Sequence, residues 1–205
     1  MSNQLESILQ SRASVGKYQT GKQIPQQDIQ ELLRLATLSP SAFNMQNWHF
    51  LVVNSDEAKQ RLHPIAYYQP QILDASATVV ICGDLDGYQR LEERLTPSVE
   101  AGILNDEIVK GWSEMVNSGF ADNPQAQRDE AVRAASLAAM TLMLAASGKG
   151  IASGAMSGFD AQGLQKEFGL AKERLPVLLV TLGYPDQASW PQKPRVSVQD
   201  VMSIV

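Results

Sequence analysis

The sequence predicts an α/β or α+β domain, and three observations point to it. Short runs rich in apolar and β-branched residues, at 48–54, 74–84 and 175–185, alternate with segments of helical period. A chain of 205 residues is long enough for one sizeable core. No linker, internal repeat or low-complexity stretch divides it, so residues 1–205 read as a single domain.

Each element has its own grounds. Residues 2–12 form a short helix, with Ser2 and Asn3 available as caps and Leu5, Ile8 and Leu9 on one face. In IPQQDIQELLRLATLSP (24–40), Pro25 suits the first turn and Ile29, Leu32, Leu33 and Ala36 recur at helical spacing. Ser39-Pro40 ends that helix. WHFLVVN (48–54) is a strand, and SDEAKQRLHPIA (55–66) is a helix behind a Ser-Asp cap. DASATVVICGD (74–84) is a buried strand. Residues 86–125 are polar with scattered aromatics, and read as a helical excursion with loops rather than a second core.

The segment 123–150 is a long helix, rich in alanine and apolar nearly all round in its second half, which predicts burial. Gly148 and Gly150 stop it. GKGIASGAMSG (148–158) carries four glycines and reads as a turn region. It lacks the Gly-Lys-Ser/Thr of a P-loop, and no early Gly-x-Gly-x-x-Gly marks a dinucleotide fold. Asp160 caps another short helix, and LPVLLVTLGYP (175–185) is a strand buried on both faces. The tail, 186–205, is too apolar at its end for plain disorder and is expected to run across a neighbour's surface.

Composition narrows the function. The net charge of −5 argues against a nucleic-acid partner. One cysteine, Cys82, allows no intrachain disulfide, and in an apolar strand it reads as a small buried hydrophobe. With His49 and His63 as the only histidines, no metal site is expected. Neither a signal peptide nor an unbroken apolar run near the ~18 residues of a membrane span is evident. A soluble, cytoplasmic protein is expected.

Three clusters and a tail motif carry chemistry. In SRASVGKY, Arg12, Ser14 and Lys17 supply a guanidinium, a hydroxyl and an ammonium at a helix exit. Such a set suits a phosphate, though taken alone it reads more readily as a solvated basic turn. In LSPSAFNMQNWHFLVV (38–53), Asn44, Gln46 and Asn47 crowd three carboxamides before a strand. Carboxamides both donate and accept, which suits the edge of a flat heterocycle, and caps of the turn are the alternative. In ASGAMSGFD, Gly158 allows close backbone approach to a ligand, or simply caps a helix. Lys193 and Arg195 place two cations near the chain's end.

Together these stretches resemble the FMN-dependent nitroreductase family along almost the whole chain. RASVGKY is similar to the family's Arg-x-Ser-x-Arg/Lys-x-Phe/Tyr. SPSAFNMQNWHFLVV is similar to its Pro-Ser-x-x-Asn-x-Gln-Pro-Trp-x-Phe. GAMSGFDAQGLQKEFGL with PVLLVTLGYP is similar to its glycine turn, helix and last core strand, and KPR to its C-terminal Lys/Arg-x-Arg.

The resemblance implies an α+β fold with a mixed central sheet surrounded by helices. It also implies a two-fold homodimer with FMN at the interface and a tail from about 186 exchanged with the partner. Arg12, Ser14, Lys193 and Arg195 would hold the FMN phosphate with help from the backbone of Ala13. Pro40, Ser41 and Ala42 would flank the ring, with Asn44 and Gln46 beside them and Gln69 a further candidate. Met156, Ser157 and Gly158 would lie across the ring, the Gly158 N–H aimed at the nitrogen that accepts hydride. The chain departs from the family at three points. Gly16 stands where a cation is usual, with Lys17 next to it as a substitute of different reach. Asn47 replaces a proline, and Ser157 stands where one branch carries a glutamate. The implied activity is ping-pong transfer from NADH or NADPH to FMN and then to an electron-poor nitroaromatic or quinone. It requires no side-chain acid or base, so no catalytic residue is named. Free-flavin reduction, another reductive step, and flavin storage or sensing are the alternatives. Tyr67, Tyr68, Trp112 and Phe120 are aromatics that either shape access or pack.

Overall fold

A computed structural model describes residues 4–187 and 189–205. The helices are α1 (Gln4–Ser11), α2 (Gln26–Ala36), α3 (Asp56–Ile65), α4 (Gln71–Asp74), α5 (Leu91–Glu100), α6 (Asp106–Phe120), α7 (Pro124–Gly148) and α8 (Ala161–Glu167). The strands are β1 (Trp48–Val53), β2 (Ala77–Asp84), β3 (Ala152–Met156) and β4 (Arg174–Gly183). The expected caps Ser2 and Asn3 lie outside the described residues.

The four strands form one sheet in the order β1-β2-β4-β3, and every strand pair is antiparallel. Among the described residues the sheet is thus antiparallel where a mixed one was expected, with one parallel bridge, between Ser14 and Ser153. β2 and β4 occupy the centre and are covered on both sides. Because side chains alternate along a strand, Val79 and Ile81 face one way and Val80 and Cys82 the other. The first pair packs with Ile29, Leu32, Ala135, Ala139 and Leu142 of α2 and α7. The second packs with Leu62, Ile72 and Leu164 of α3, α4 and α8. Cys82 is fully buried, and burial pushes its thiol up to about 12, an inert small hydrophobe as expected.

Two other regions differ from expectation. β3 lies within the glycine-rich 148–158 stretch, where its small residues mask a strand signal. Residues 86–125 carry a small core of their own, in which Tyr88, Leu91, Leu95, Val109 and Val116 close around Met45. By length and composition α7 would cross a bilayer. Its Ala134, Ala135, Ala138, Ala139 and Leu142 are instead buried, and Leu137 and Met140 stay exposed on its far face. α1 packs against α7 but has no buried residue. From 190 to 205 every residue is exposed except Gln192, which is partly buried.

Candidate functional site

The predicted phosphate residues come from opposite ends of the chain and meet. α1 delivers Arg12 at its exit. The following segment is stitched to the edge of β3: Val15 N donates to Ser153 O at 2.9 Å. Tyr18 secures it from below, its hydroxyl donating to Val15 O at 2.9 Å and lying 2.8 Å from Thr181 Oγ1. Burial raises the Tyr18 pKa, so the hydroxyl stays protonated as this strut requires. The close approach needs a glycine, because a Cβ on Gly154 would sit 2.2 Å from Val15 O. The tail then returns alongside. Asp186 N donates to Lys17 O at 3.1 Å, and Ser189 Oγ to the same carbonyl at 3.2 Å. Arg12, Ser14, Lys193 and Arg195 thereby line one cavity of about 90 Å3 with Trp190, Pro191 and Gln192.

That cavity has three cationic side chains, a hydroxyl and no carboxylate in its lining. Its residues fit a phosphate dianion, which charge-assisted donors hold best. Lys17 lines a neighbouring cavity with Ser14, Gly16, Ser189 and Trp190 rather than this one. Ala13 lines a third, together with Arg12, Ser147 and Ser153.

Met156 ends β3, and Ser157 and Gly158 lead from it toward α8. Asp160 caps α8 by accepting from Gln162 N and Gly163 N at 3.1 and 3.0 Å. No atom lies within 4 Å of where a Cβ on Gly158 would stand, so its backbone is open to a flat ligand. Asp160 N donates to Ile65 O at 2.9 Å, which draws the 65–71 segment to this turn. In that segment Gln71 is the residue that meets Met156. Its amide contacts Met156 Sδ, and its Oε1 would lie 3.0 Å from a Cβ on Gly16. Gln69 is exposed on the preceding turn. A polar residue opening the apolar QILDAS stretch was the one available sign of Gln71. Tyr67 and Tyr68 do not pack into the core: they are 60% and 69% exposed and both have left-handed φ.

Pro40–Gln46 forms the second group. Its loop departs from α2, with Ser39 Oγ 2.6 Å from Thr141 Oγ1 of α7. Ser41 Oγ accepts from Gln46 N at 2.8 Å, and Phe43, Asn44 and Gln46 all hold positive φ, at 52°, 55° and 48°. Strained backbone of this kind persists where the surroundings impose it. Here the helical excursion supplies them. Phe43 meets Trp112 edge-on at 5.7 Å, Tyr88 stacks on Phe120 at 6.0 Å, and Ala42 and Phe43 join the small core. Trp112 and Phe120 therefore pack. The Asn44 and Gln46 amides make no side-chain hydrogen bond among the described residues, so capping is not their role. Asn47 belongs to the fold: it is buried, and its carbonyl accepts from Asp84 N at 2.9 Å.

At the root of this loop three arginines share one carboxylate. Asp84 is 1% exposed, and its Oδ2 pairs with Arg90, with Arg94 at 3.2 Å and with Arg174 at 2.8 Å. Arg94 also donates to Met45 O, tying the cluster to the loop. Nearby His49 is half-buried, and its pKa is lowered first by burial and then by the Arg174 charge.

The two groups stand at opposite edges of the sheet, one beside β3 and one leading into β1. Three strand spacings separate those edges, about 14 Å. No hydrogen bond joins the groups among the described residues.

The sequence has relatives of this shape. The model of the Nitroreductase family matches residues 9–184. YodC, a candidate NAD(P)H nitroreductase of Bacillus subtilis, is 42% identical over 183 residues, covering 89% of this chain and 90% of its own. A candidate nitroreductase from Exiguobacterium sibiricum, solved in complex with FMN, has a TM-score of 0.91 at 28% identity, covering 100% of this chain and 99% of that one. The enone reductase CLA-ER, which acts in gut-bacterial fatty acid saturation, has a TM-score of 0.87 at 25% identity, covering 100% of this chain and 99% of that one.

Proposed function

The chain belongs to the nitroreductase family, and on that footing we propose that it is an FMN-dependent NAD(P)H oxidoreductase working as a homodimer. One observation carries the reading: Arg12 and Ser14 from one end of the chain line a single cavity with Lys193 and Arg195 from the other. Bound there by its phosphate, FMN would accept hydride from NADH or NADPH and pass electrons to a nitroaromatic or quinone in a ping-pong cycle.

Arg12, Lys193 and Arg195 would neutralise the phosphate, while Ser14 and the backbone near Ala13 donate to it. The open Gly158 backbone and Met156–Ser157 would border one side of the ring, with the Gln71 amide beside them. Pro40, Ser41 and Ala42, with the unpaired amides of Asn44 and Gln46, would come from the partner subunit. The separation of the two groups across the sheet supports that division. So do the exposed Leu137 and Met140 of α7 and the exposed tail residues Val196, Val198, Val201 and Ile204, which a second copy with exchanged tails would cover. This scheme asks no side chain in either group to act as an acid or base, and solvent would supply protons.

The purified chain is expected to bind FMN and to consume NADH or NADPH only when a quinone or nitroarene is supplied. A colourless protein that takes up no added FMN would end this reading. Enones are a second acceptor class to assay, favoured by the likeness to CLA-ER.

A further inference from the structure

We propose that Gln192 is a positioning residue: it seats Lys193 and Arg195 against Arg12 and Ser14, and so sets how strongly the chain holds a phosphate-bearing flavin. The inference rests on reading the cavity as the FMN phosphate site.

From Trp190 to Val205, Gln192 is the one residue that is not exposed. Its side-chain amide donates to Leu9 O at 2.9 Å and to Arg12 O at 2.6 Å. Leu9 O is among the last carbonyls of α1, which have no partner inside the helix. Arg12 O belongs to the residue whose guanidinium lines the cavity. Both donors of one amide are thus spent on the exit of α1, and both bonds cross some 180 residues of sequence.

The residues after Gln192 have no comparable hold. Lys193, Pro194 and Arg195 are exposed, and Arg195 donates to the Lys193 carbonyl beside it rather than to another part of the fold. Lys193 lies 5.0 Å over the ring of Trp190, itself 72% exposed. Two unrestrained cations gain little by meeting an anion if they must first be ordered. A short tether one residue upstream removes most of that cost. Ser189 and Asp186 hold the tail earlier, on Lys17 O, but they leave the turn from Trp190 to Arg195 free to swing. Gln192 is the contact that fixes it.

The test compares FMN with riboflavin, which has the ring and ribityl chain but no phosphate. Affinities of the flavin-stripped full-length chain for both are measured by fluorescence titration, for wild type, Gln192→Met and Gln192→Glu. Methionine keeps the side chain's volume without its donors. Loss of two modest hydrogen bonds is expected to weaken FMN about tenfold while riboflavin changes less than about twofold. Glutamate, which adds a negative charge beside the phosphate, is expected to weaken FMN further. A Met variant that keeps the wild-type preference for FMN overturns the proposal. So does one that loses both flavins equally, since Gln192 would then support the fold at large. If wild type itself shows no preference for FMN over riboflavin, the reading of the cavity fails first, and the proposal with it.

Discussion

The two halves of the site are built in opposite ways. The half beside β3 is assembled from residues near 12, 71, 156 and 192, joined by hydrogen bonds that span the chain. The half leading into β1 is one continuous loop, Pro40–Gln46, bent through three left-handed residues and held from outside by Trp112 and Arg94. The first half is tied together by its own backbone and side-chain hydrogen bonds and leaves cations for a ligand. The second leaves two amides with no partner among the described residues. A site can thus be half pre-assembled by long-range contacts and half presented by a strained loop, each lacking what the other has.

The heaviest blow to this arrangement falls at Asp84. Replacing it with alanine leaves three arginines without their shared carboxylate at the root of the loop. Urea denaturation should show a loss of about 3 kcal/mol, near the lower end for a buried charge left unpaired because the guanidiniums keep some water. The β3 half should still discriminate FMN from riboflavin in whatever fraction stays folded.

Gly154→Ala strikes the other half. Its new Cβ would meet Val15 O, so the Arg12–Tyr18 segment must lift off β3. A stability loss of about 1–3 kcal/mol is expected, with weaker FMN retention on a desalting column. Unchanged retention would mean the stitching does not set the cavity.

Asn44→Gly probes the loop more gently. Glycine accepts the 55° φ without strain, so stability should change by no more than about 0.5 kcal/mol. Flavin affinity should nevertheless fall. An unaltered titration would return Asn44 to the role of turn residue.

The smallest effect is a pH dependence. His49 has its pKa lowered in the folded chain below the usual 6.5. The unfolded chain therefore takes up its proton first as pH falls, and the folded state loses stability from about that pH downward. Above it His49 is neutral in both states and contributes nothing. His49→Gln should lose less stability than wild type between pH 7 and 5, measured by parallel melts. Identical slopes would mean His49 is not the titrating group.

Most elements were legible because their signals are local. The caps Ser55 and Asp160, the apolar spacing of α2 and the β-branched runs of β2 and β4 each act over a few residues. β3 was hidden because Ala152, Gly154 and Ala155 have little strand preference, and its pairing with β4 decides the matter. The small core of 86–125 was hidden because its apolar residues close around Met45, some forty residues upstream. Arg12, Ser14, Lys193 and Arg195 could be named from motif order, and the shared cavity brings them together. Gln71 and Gln192 could not: an amide's use depends on which carbonyl or sulfur the fold brings to it, and both partners are distant in sequence.

In the proposed dimer each flavin site takes its phosphate half from one subunit and its loop half from the other. Mixed dimers put that division to the test. Arg12→Ala disables the first half, and Asn44→Asp with Gln46→Glu disables the second without changing side-chain size. When the two variants are co-expressed with different tags and the mixed dimer is isolated, one site should be intact and the other doubly broken. FMN is expected at about one tight site per mixed dimer, against little in either variant alone. Mixed dimers that bind no more FMN than the parent variants would contradict the division.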